Sequence, residues 1–203
     1  DYFLIFILFF FYPKYIKMRN QLEILFFVLL IGVIESSNLR NLAAPKDGEG
    51  VVKYDNGEKY EGNFRNGLRD GQGKYFYKNG DRYEGAWVNG KREGKGVYFW
   101  KDGDKFEGYF ENNKFGDYGK FTYKNGERYE GQLKEGKREG KGVYYFPDGD
   151  RYEGDFKNDK REGKGVYYWN DGDRAVGDYV NDKEVGLHAM LLANGQVIEK
   201  KYE

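Results

Sequence analysis

Residues 81–100 read DRYEGAWVNGKREGKGVYFW, and the chain repeats this stretch with light editing. Its aromatic-Glu-Gly core starts at Tyr60, Tyr83, Phe106, Tyr129 and Tyr152, each 23 residues past the last, and Ala175-Val176-Gly177 is a worn sixth copy. A fixed period in this range marks a repeat architecture, in which a single unit cannot bury its own apolar face and must stack on a neighbour. The fold is therefore decided by one unit and by how it meets the next.

Seven Asn-Gly or Asp-Gly pairs keep the same register: Asn56-Gly57, Asn79-Gly80, Asp102-Gly103, Asn125-Gly126, Asp148-Gly149, Asp171-Gly172 and Asn194-Gly195. Such pairs tolerate positive φ at both central positions of a type I′ turn, so each is predicted to close a two-residue hairpin. The opposite connection, residues 89–94 (NGKREG), reads as a longer glycine-rich loop.

Side chains alternate across a strand, so its faces can be read separately. In the first strand of each unit Tyr83, Gly85 and Trp87 share a face, as do Tyr152, Gly154 and Phe156. In the second strand the same face takes Tyr98 and Trp100, with counterparts Tyr75/Tyr77, Phe121/Tyr123, Tyr144/Phe146 and Tyr167/Trp169. The opposite face carries Arg82/Glu84, Arg128/Glu130 and Arg151/Glu153 and reads as a solvated, charge-paired surface. A glycine between rings lets an aromatic side chain lie flat over bare backbone. The ends read as caps: Val52 and Tyr54 make a half unit, and Met190, Leu192, Lys200 and Tyr202 replace the usual residues at the far end.

Composition agrees with an all-β chain of short strands. There are 30 Gly, 20 Tyr and 3 Pro in 203 residues. Lys plus Arg equals Asp plus Glu at 34 each, so no global field draws the chain to nucleic acid or an anionic membrane. With no cysteine, disulfides contribute nothing to stability.

Residues 1–37 differ from the rest. Two apolar runs, 2–12 and 24–34, flank a basic segment, and each is shorter than the ~20 residues that span a bilayer as a helix. Met18-Arg19-Asn20, the second run and then Glu35-Ser36-Ser37 have the layout of a secretory signal peptide, with residues 1–17 preceding the start. A retained hydrophobic, helical membrane anchor and a buried segment are the alternatives. The corresponding locations are the secretory pathway or a membrane surface, or else a cytoplasmic or cytoskeletal site with an anchor. Residues 38–46 (NLRNLAAPK) read as a linker and 47–203 as the array with its C-terminal cap.

Tyr-Glu-Gly-x-Trp, a Gly-Lys segment, Gly-x-Gly and an Asp-Gly turn at this spacing resemble MORN (membrane occupation and recognition nexus) repeats over most of the chain after the linker. The resemblance implies an elongated, single-layer antiparallel β-meander with two strands per repeat. It also implies that such arrays occur beside lipid-kinase and methyltransferase domains, so a regulatory region of a larger enzyme is one reading. Departures fall at residues 114–119 (KFGDYG), which lose the Lys-Arg-Glu-Gly run, and at Ala175-Val176 and Gly186-Leu187-His188. These are the expected places for altered curvature or a specific contact.

Catalysis is poorly supplied, and the chain is read as no enzyme. Ser36, Ser37 and Thr122 are the hydroxyl candidates apart from the tyrosines, and no activated nucleophile accompanies His188, which stands where other units have glycine and reads as a cap residue. The segment GKREGKG at 90–96 is one residue short of a phosphate loop and lacks its Ser/Thr, while Asp102/Asp104 and Asp148/Asp150 lack an EF-hand ligand series. No cofactor or metal site is read. Two surfaces remain. One is an aromatic groove for a helix, a peptide or a second copy of the chain, formed by Tyr83, Trp87, Tyr98, Trp100, Tyr144, Phe146, Tyr152, Tyr167 and Trp169. The other is a row of basic loops, Lys91, Arg92, Lys95, Lys137, Arg138, Lys141, Lys160, Arg161 and Lys164, with the charge pattern of an anionic-lipid or phosphoinositide site. Glu93, Glu139 and Glu162 within those loops, with the balanced overall charge, argue against nucleic acid. The first surface points to a non-catalytic scaffold that presents a β-repeat surface to a protein, near a membrane in one version, and the second to direct lipid binding.

Overall fold

A computed structural model describes residues 44–203. The signal-peptide, anchor and start-site readings of residues 1–37, and the linker up to residue 43, lie outside the described residues. Fourteen strands follow in order: β1 (Gly48–Lys53), β2 (Lys59–Arg65), β3 (Leu68–Phe76), β4 (Arg82–Val88), β5 (Lys91–Phe99), β6 (Lys105–Glu111), β7 (Lys114–Thr122), β8 (Arg128–Lys134), β9 (Lys137–Tyr145), β10 (Arg151–Lys157), β11 (Lys160–Tyr168), β12 (Arg174–Val180), β13 (Lys183–Leu191) and β14 (Val197–Tyr202). Each pairs antiparallel with the next in one open sheet, a meander whose strand order is the sequence order. No helix occurs among the described residues.

The two kinds of turn are the reverse of the expectation. Asn89 and Gly90 carry φ of 47° and 81°, and Asn66-Gly67, Asn112-Asn113, Glu135-Gly136, Asn158-Asp159 and Asn181-Asp182 repeat the two positive values. These are the type I′ turns. At Asn79-Gly80 only the glycine is positive, at 94°. There the Gly80 N–H donates to the Tyr77 carbonyl at 3.0 Å and the Tyr77 N–H donates to the Asp81 carbonyl at 3.0 Å. This is a three-residue loop, a type I turn closed by a left-handed glycine.

The Lys-Arg-Glu-Gly runs are consequently strand, not loop. In β4–β5, Gly85 pairs with Gly96 but Trp87 pairs with Arg92, so Glu93, Gly94 and Lys95 stand opposite Ala86 alone. This bulge kinks the strand and sends Arg92 to the aromatic face. The same shift recurs in the β2–β3, β6–β7, β8–β9 and β10–β11 pairs, and in β12–β13 it falls one residue earlier, setting Gly177 alone opposite Gly186, Leu187 and His188.

One face holds the core. The Tyr83 ring lies over two paired glycines: a Cβ added at Gly85 would stand 2.5 Å from Tyr83 Oη, 2.6 Å from Gly96 Cα and 2.7 Å from the Lys95 carbonyl oxygen. Tyr83 is fully buried, and its hydroxyl donates to the Ala86 carbonyl at 3.0 Å. Tyr60, Tyr129 and Tyr152 do the same to Asn63, Gln132 and Asp155. Trp87 stands edge-on between Tyr60 and Tyr83, 5.3 Å from each, and Phe156 bridges Tyr129 and Tyr152 at 5.1 and 5.3 Å. Edge-to-face pairs of this kind are favourable beyond their buried area. Each such ring therefore ties one unit to the next.

Polar struts tie both edges as well. The acid after a turn glycine reaches the following unit: Asp81 accepts from Tyr98 Oη at 2.7 Å and from the Lys101 N–H at 3.0 Å, besides Asn79 Nδ2 of its own turn at 2.8 Å. On the other edge Glu93, Glu139 and Glu162 accept from the Asn112, Asn158 and Asn181 N–H groups. Burial opposes ionisation of Asp81, yet these hydrogen bonds outweigh it and hold its carboxyl below the ordinary value. Glu58 is held low chiefly by the Tyr75 hydroxyl. A depressed folded-state value means that stability is complete above the ordinary range of ~4 and is lost as pH falls through the folded-state values. Glu58→Gln with Asp81→Asn should therefore flatten the loss of urea-midpoint stability between pH 5 and pH 3. An acid limb identical to that of the parent would refute the assignment.

The departures have local explanations. Phe115 stands where other units have the inward arginine and packs 4.5 Å from Phe106, 5.4 Å from Phe110 and 6.0 Å from Trp100. In the sixth unit Ala175 replaces the tyrosine, and the fully buried His188 supplies a ring from the opposite strand, over Gly177. Its Nε2 lies 3.0 Å from the Asp178 carbonyl, the position that the Tyr152 hydroxyl serves one unit earlier. His188 is thus a core ring that relocates the tyrosine's role. Pro45, in the stretch read as linker, lies over Gly50 at the N-terminal end of the sheet.

Candidate functional site

The aromatic residues named from the sequence separate by depth. Tyr83, Trp87 and Tyr152 are 0%, 3% and 0% exposed, so they form the floor and offer no contact area to a partner. Tyr98, Trp100, Tyr144, Phe146, Tyr167 and Trp169 stay half-buried beside the three-residue turns. Consecutive rings touch along this edge. Tyr98 lies 5.7 Å from Tyr77 and 4.8 Å from Trp100, while Phe146 lies 5.0 Å from Tyr144 and 5.6 Å from Tyr167, which is 4.9 Å from Trp169. The result is a ledge of rings, one pair per unit, with one side packed and the other open.

Beside the ledge lies a pocket of about 200 Å³ lined by Tyr144, Phe146 and Phe156 and by the Glu127 and Asp182 carboxylates. Arg138 and Arg161 line it from β9 and β11. Leu133 occupies the place of Trp87 and Phe110 in this unit, where a smaller side chain fills less of the face.

The basic row does not form a single surface. Arg92 packs 5.4 Å from the Tyr98 ring and 5.2 Å from Phe110, and its Nη2 donates to the Asn113 carbonyl. Arg138 packs 4.9 Å from Tyr144 and donates to the Asp159 carbonyl; Arg161 packs 5.1 Å from Tyr179 and donates to the Asp182 carbonyl at 2.6 Å. These guanidiniums are committed to the aromatic face and to the next turn. Lys91, Lys95, Lys137, Lys141, Lys160 and Lys164 are exposed on the opposite face. Lys141 pairs with Asp155 at 2.7 Å and Lys164 with Asp178 at 3.5 Å.

That opposite face holds a shallow trough of about 1090 Å³ running over β1–β6 past Glu61, Lys74, Glu84, Val97, Glu107 and Tyr109. Three of its four carboxylates are already matched, Glu61 by Lys59, Glu84 by Arg82 and Lys74, and Glu107 by Lys105. The face is also less purely solvated than its charged residues imply. Phe76, Phe99, Tyr145 and Tyr168 lie on it beneath Lys59, Arg82, Arg128 and Arg151, with cation-to-ring distances of 4.2, 4.2, 4.2 and 3.8 Å. Alternation within the second strand would have shown these rings, since they are the odd neighbours of the inward ones. The trough offers the exposed ring of Tyr109 alone, whereas the ledge offers a continuous row of half-buried rings beside unoccupied volume.

Residues 60–82, 83–105, 106–128, 129–151 and 152–174 each match the family model described as MORN repeat. Among solved structures, the TCP domain of SAS-4 (dCPAP) from Drosophila melanogaster, in complex with a proline-rich motif of Ana2 (dSTIL), superposes with a TM-score of 0.52 at 18% identity, over 78% of this chain and 87% of that one. The wild-type TCP10 domain of Danio rerio CPAP aligns over 75% of this chain and 94% of its own at 16% identity, with a TM-score of 0.26. At these identities the first likeness concerns the fold, and the second carries no weight. No curated protein matches the chain.

Proposed function

Because the chain belongs to the MORN repeat family, we propose that its β-repeat array is a non-catalytic protein-interaction module that takes an extended, proline-rich peptide across the turn-side aromatic ledge. The half-buried rings Tyr98, Trp100, Tyr144, Phe146, Tyr167 and Trp169, with the pocket beside them, carry this reading. Polyproline II segments dock on aromatic-lined grooves because their conformation is already extended and loses little entropy on binding. Geometry favours the same ligand. Three residues of polyproline II advance ~9.3 Å, and successive units of a two-strand repeat are ~9.4–9.8 Å apart, so every third peptide residue meets an equivalent position. The fold likeness to a domain solved with a proline-rich motif supports this assignment. Anionic-lipid docking has less beneath it, since Arg92, Arg138 and Arg161 are held by contacts inside the array.

The test is fluorescence anisotropy with a labelled 15-residue peptide that has proline at every third position. Phe146→Ala with Trp169→Ala should weaken binding by ~30-fold or more, the loss typical of aromatic anchors. Val97→Ser on the opposite face should leave affinity unchanged. Equal affinity in the ledge variant, with an unaltered melting profile, would remove the proposal.

A further inference from the structure

On the face away from the ledge, the tips of two adjacent hairpins oppose like charges. Lys134 pairs directly with Lys137, and Lys157 with Lys160. All four are exposed, and among the described residues none forms an ion pair. Directly opposed like charges destabilise a sheet. The repeat does not require them. The same two positions elsewhere hold Arg65 with Leu68, Val88 with Lys91, Glu111 with Lys114 and Val180 with Lys183. Acids nearby offset the strip only in part, since Glu135, exposed in the turn between Lys134 and Lys137, sets one carboxylate against four lysines. Glu139 and Glu162 are turned to the Asn158 and Asn181 N–H groups at 3.0 Å, and Asp155 and Asp178 are engaged by Lys141 and Lys164.

We propose that these four lysines dock an extended acidic segment of a partner protein along the edge of β8–β11. Charge complementarity selects an anion, and the geometry selects a flexible one. Adjacent strands of a sheet rotate by ~20–25°, so the cations along β8–β11 turn through ~60–75° and do not lie in one plane. A flat bilayer meets one hairpin squarely at most, whereas an extended acidic chain follows the turn. This surface is separate from the ledge, and its test does not depend on the proline-rich reading.

A labelled 12-residue oligo-glutamate peptide provides the probe, with the full chain in ~20 mM and ~150 mM salt. Lys134→Ser, Lys137→Ser, Lys157→Ser and Lys160→Ser together should weaken binding by 10-fold or more. The same number of exposed lysines changed elsewhere, Lys53→Ser, Lys74→Ser, Lys101→Ser and Lys124→Ser, should change it less than 2-fold. Phe146→Ala with Trp169→Ala should leave it intact. Without peptide, Lys137→Glu with Lys160→Glu should raise the Tm by ~2–4 °C as repulsion becomes attraction. Equal losses in the two serine sets would mean diffuse charge attraction and would overturn the proposal. So would an unchanged or lower Tm in the glutamate variant. Phosphatidylserine vesicles that bind through the same four lysines and displace the peptide would overturn it in favour of a membrane.

Discussion

Gly85→Ala is expected to lower stability by ~3 kcal/mol or more and the Tm by ~6–12 °C. The new methyl would sit 2.5 Å from Tyr83 Oη, 2.6 Å from Gly96 Cα and 2.7 Å from the Lys95 carbonyl oxygen. Two of these three atoms are backbone in the paired strand, so no side chain can move aside. Either the β4–β5 pairing opens or the Tyr83 ring leaves its slot, and Tyr83 then no longer meets Trp87 at 5.3 Å and Phe110 at 4.8 Å. In a stacked array that loss falls on the junctions with both neighbouring units. Gly90 gives the contrast. It lies in a type I′ turn with φ of 81° and open space around it, and Asn113 fills the equivalent place at 70°. Gly90→Asn should therefore shift the Tm by no more than ~2 °C, because asparagine tolerates the left-handed region. If thermal melts place Gly85→Ala as near the parent as Gly90→Asn, rings over bare backbone do not hold the units together.

Much of this was readable from residue order. The step from Tyr60 to Tyr83 and onward fixes the number of hairpins, and the Tyr-x-Gly-x-aromatic spacing identifies the buried face. The turns were not. An Asn-Gly pair stands at both ends of the second unit, Asn79-Gly80 and Asn89-Gly90, and the pair alone does not say whether asparagine takes the left-handed conformation. What decides is where the strands resume. A charged run such as Lys91-Arg92-Glu93 reads as loop until a bulge is allowed within the strand. The bulge sets three residues against one, so simple alternation does not show that Arg92 turns toward the rings while Glu93 reaches the next turn. For the same reason the sequence could not separate inward arginines from outward lysines in the basic row. Depth within the aromatic set depends on which rings receive a second unit on top, as Tyr83 does from Phe110 while Trp100 remains half-covered.

Tyr152→Ala combined with Gly165→His is expected to recover at least ~2 kcal/mol of what the two single changes lose. The sixth unit already contains this exchange. Ala175 stands 23 residues after Tyr152 and His188 stands 23 after Gly165, so the ring has passed from one strand to the other across the same slot. Tyr152→Ala alone removes a buried ring and the hydroxyl bond to the Asp155 carbonyl, a loss of ~3–5 kcal/mol. Gly165→His alone drives an imidazole into the space held by Tyr152 and should be at least as damaging. Together, the alanine vacates the slot and the imidazole enters it. Its Nε2–H can then donate to the Asp155 carbonyl as His188 Nε2 does to Asp178, between Phe156 and Tyr179 where His188 has Tyr179 and Tyr202. A double-mutant cycle measured by urea unfolding gives the coupling directly, and neighbours sharing one cavity commonly couple by ~0.5–3 kcal/mol. A double variant no more stable than the sum of the single losses would show that the slot does not accept a ring from either strand, and that Ala175 and His188 are unconnected changes.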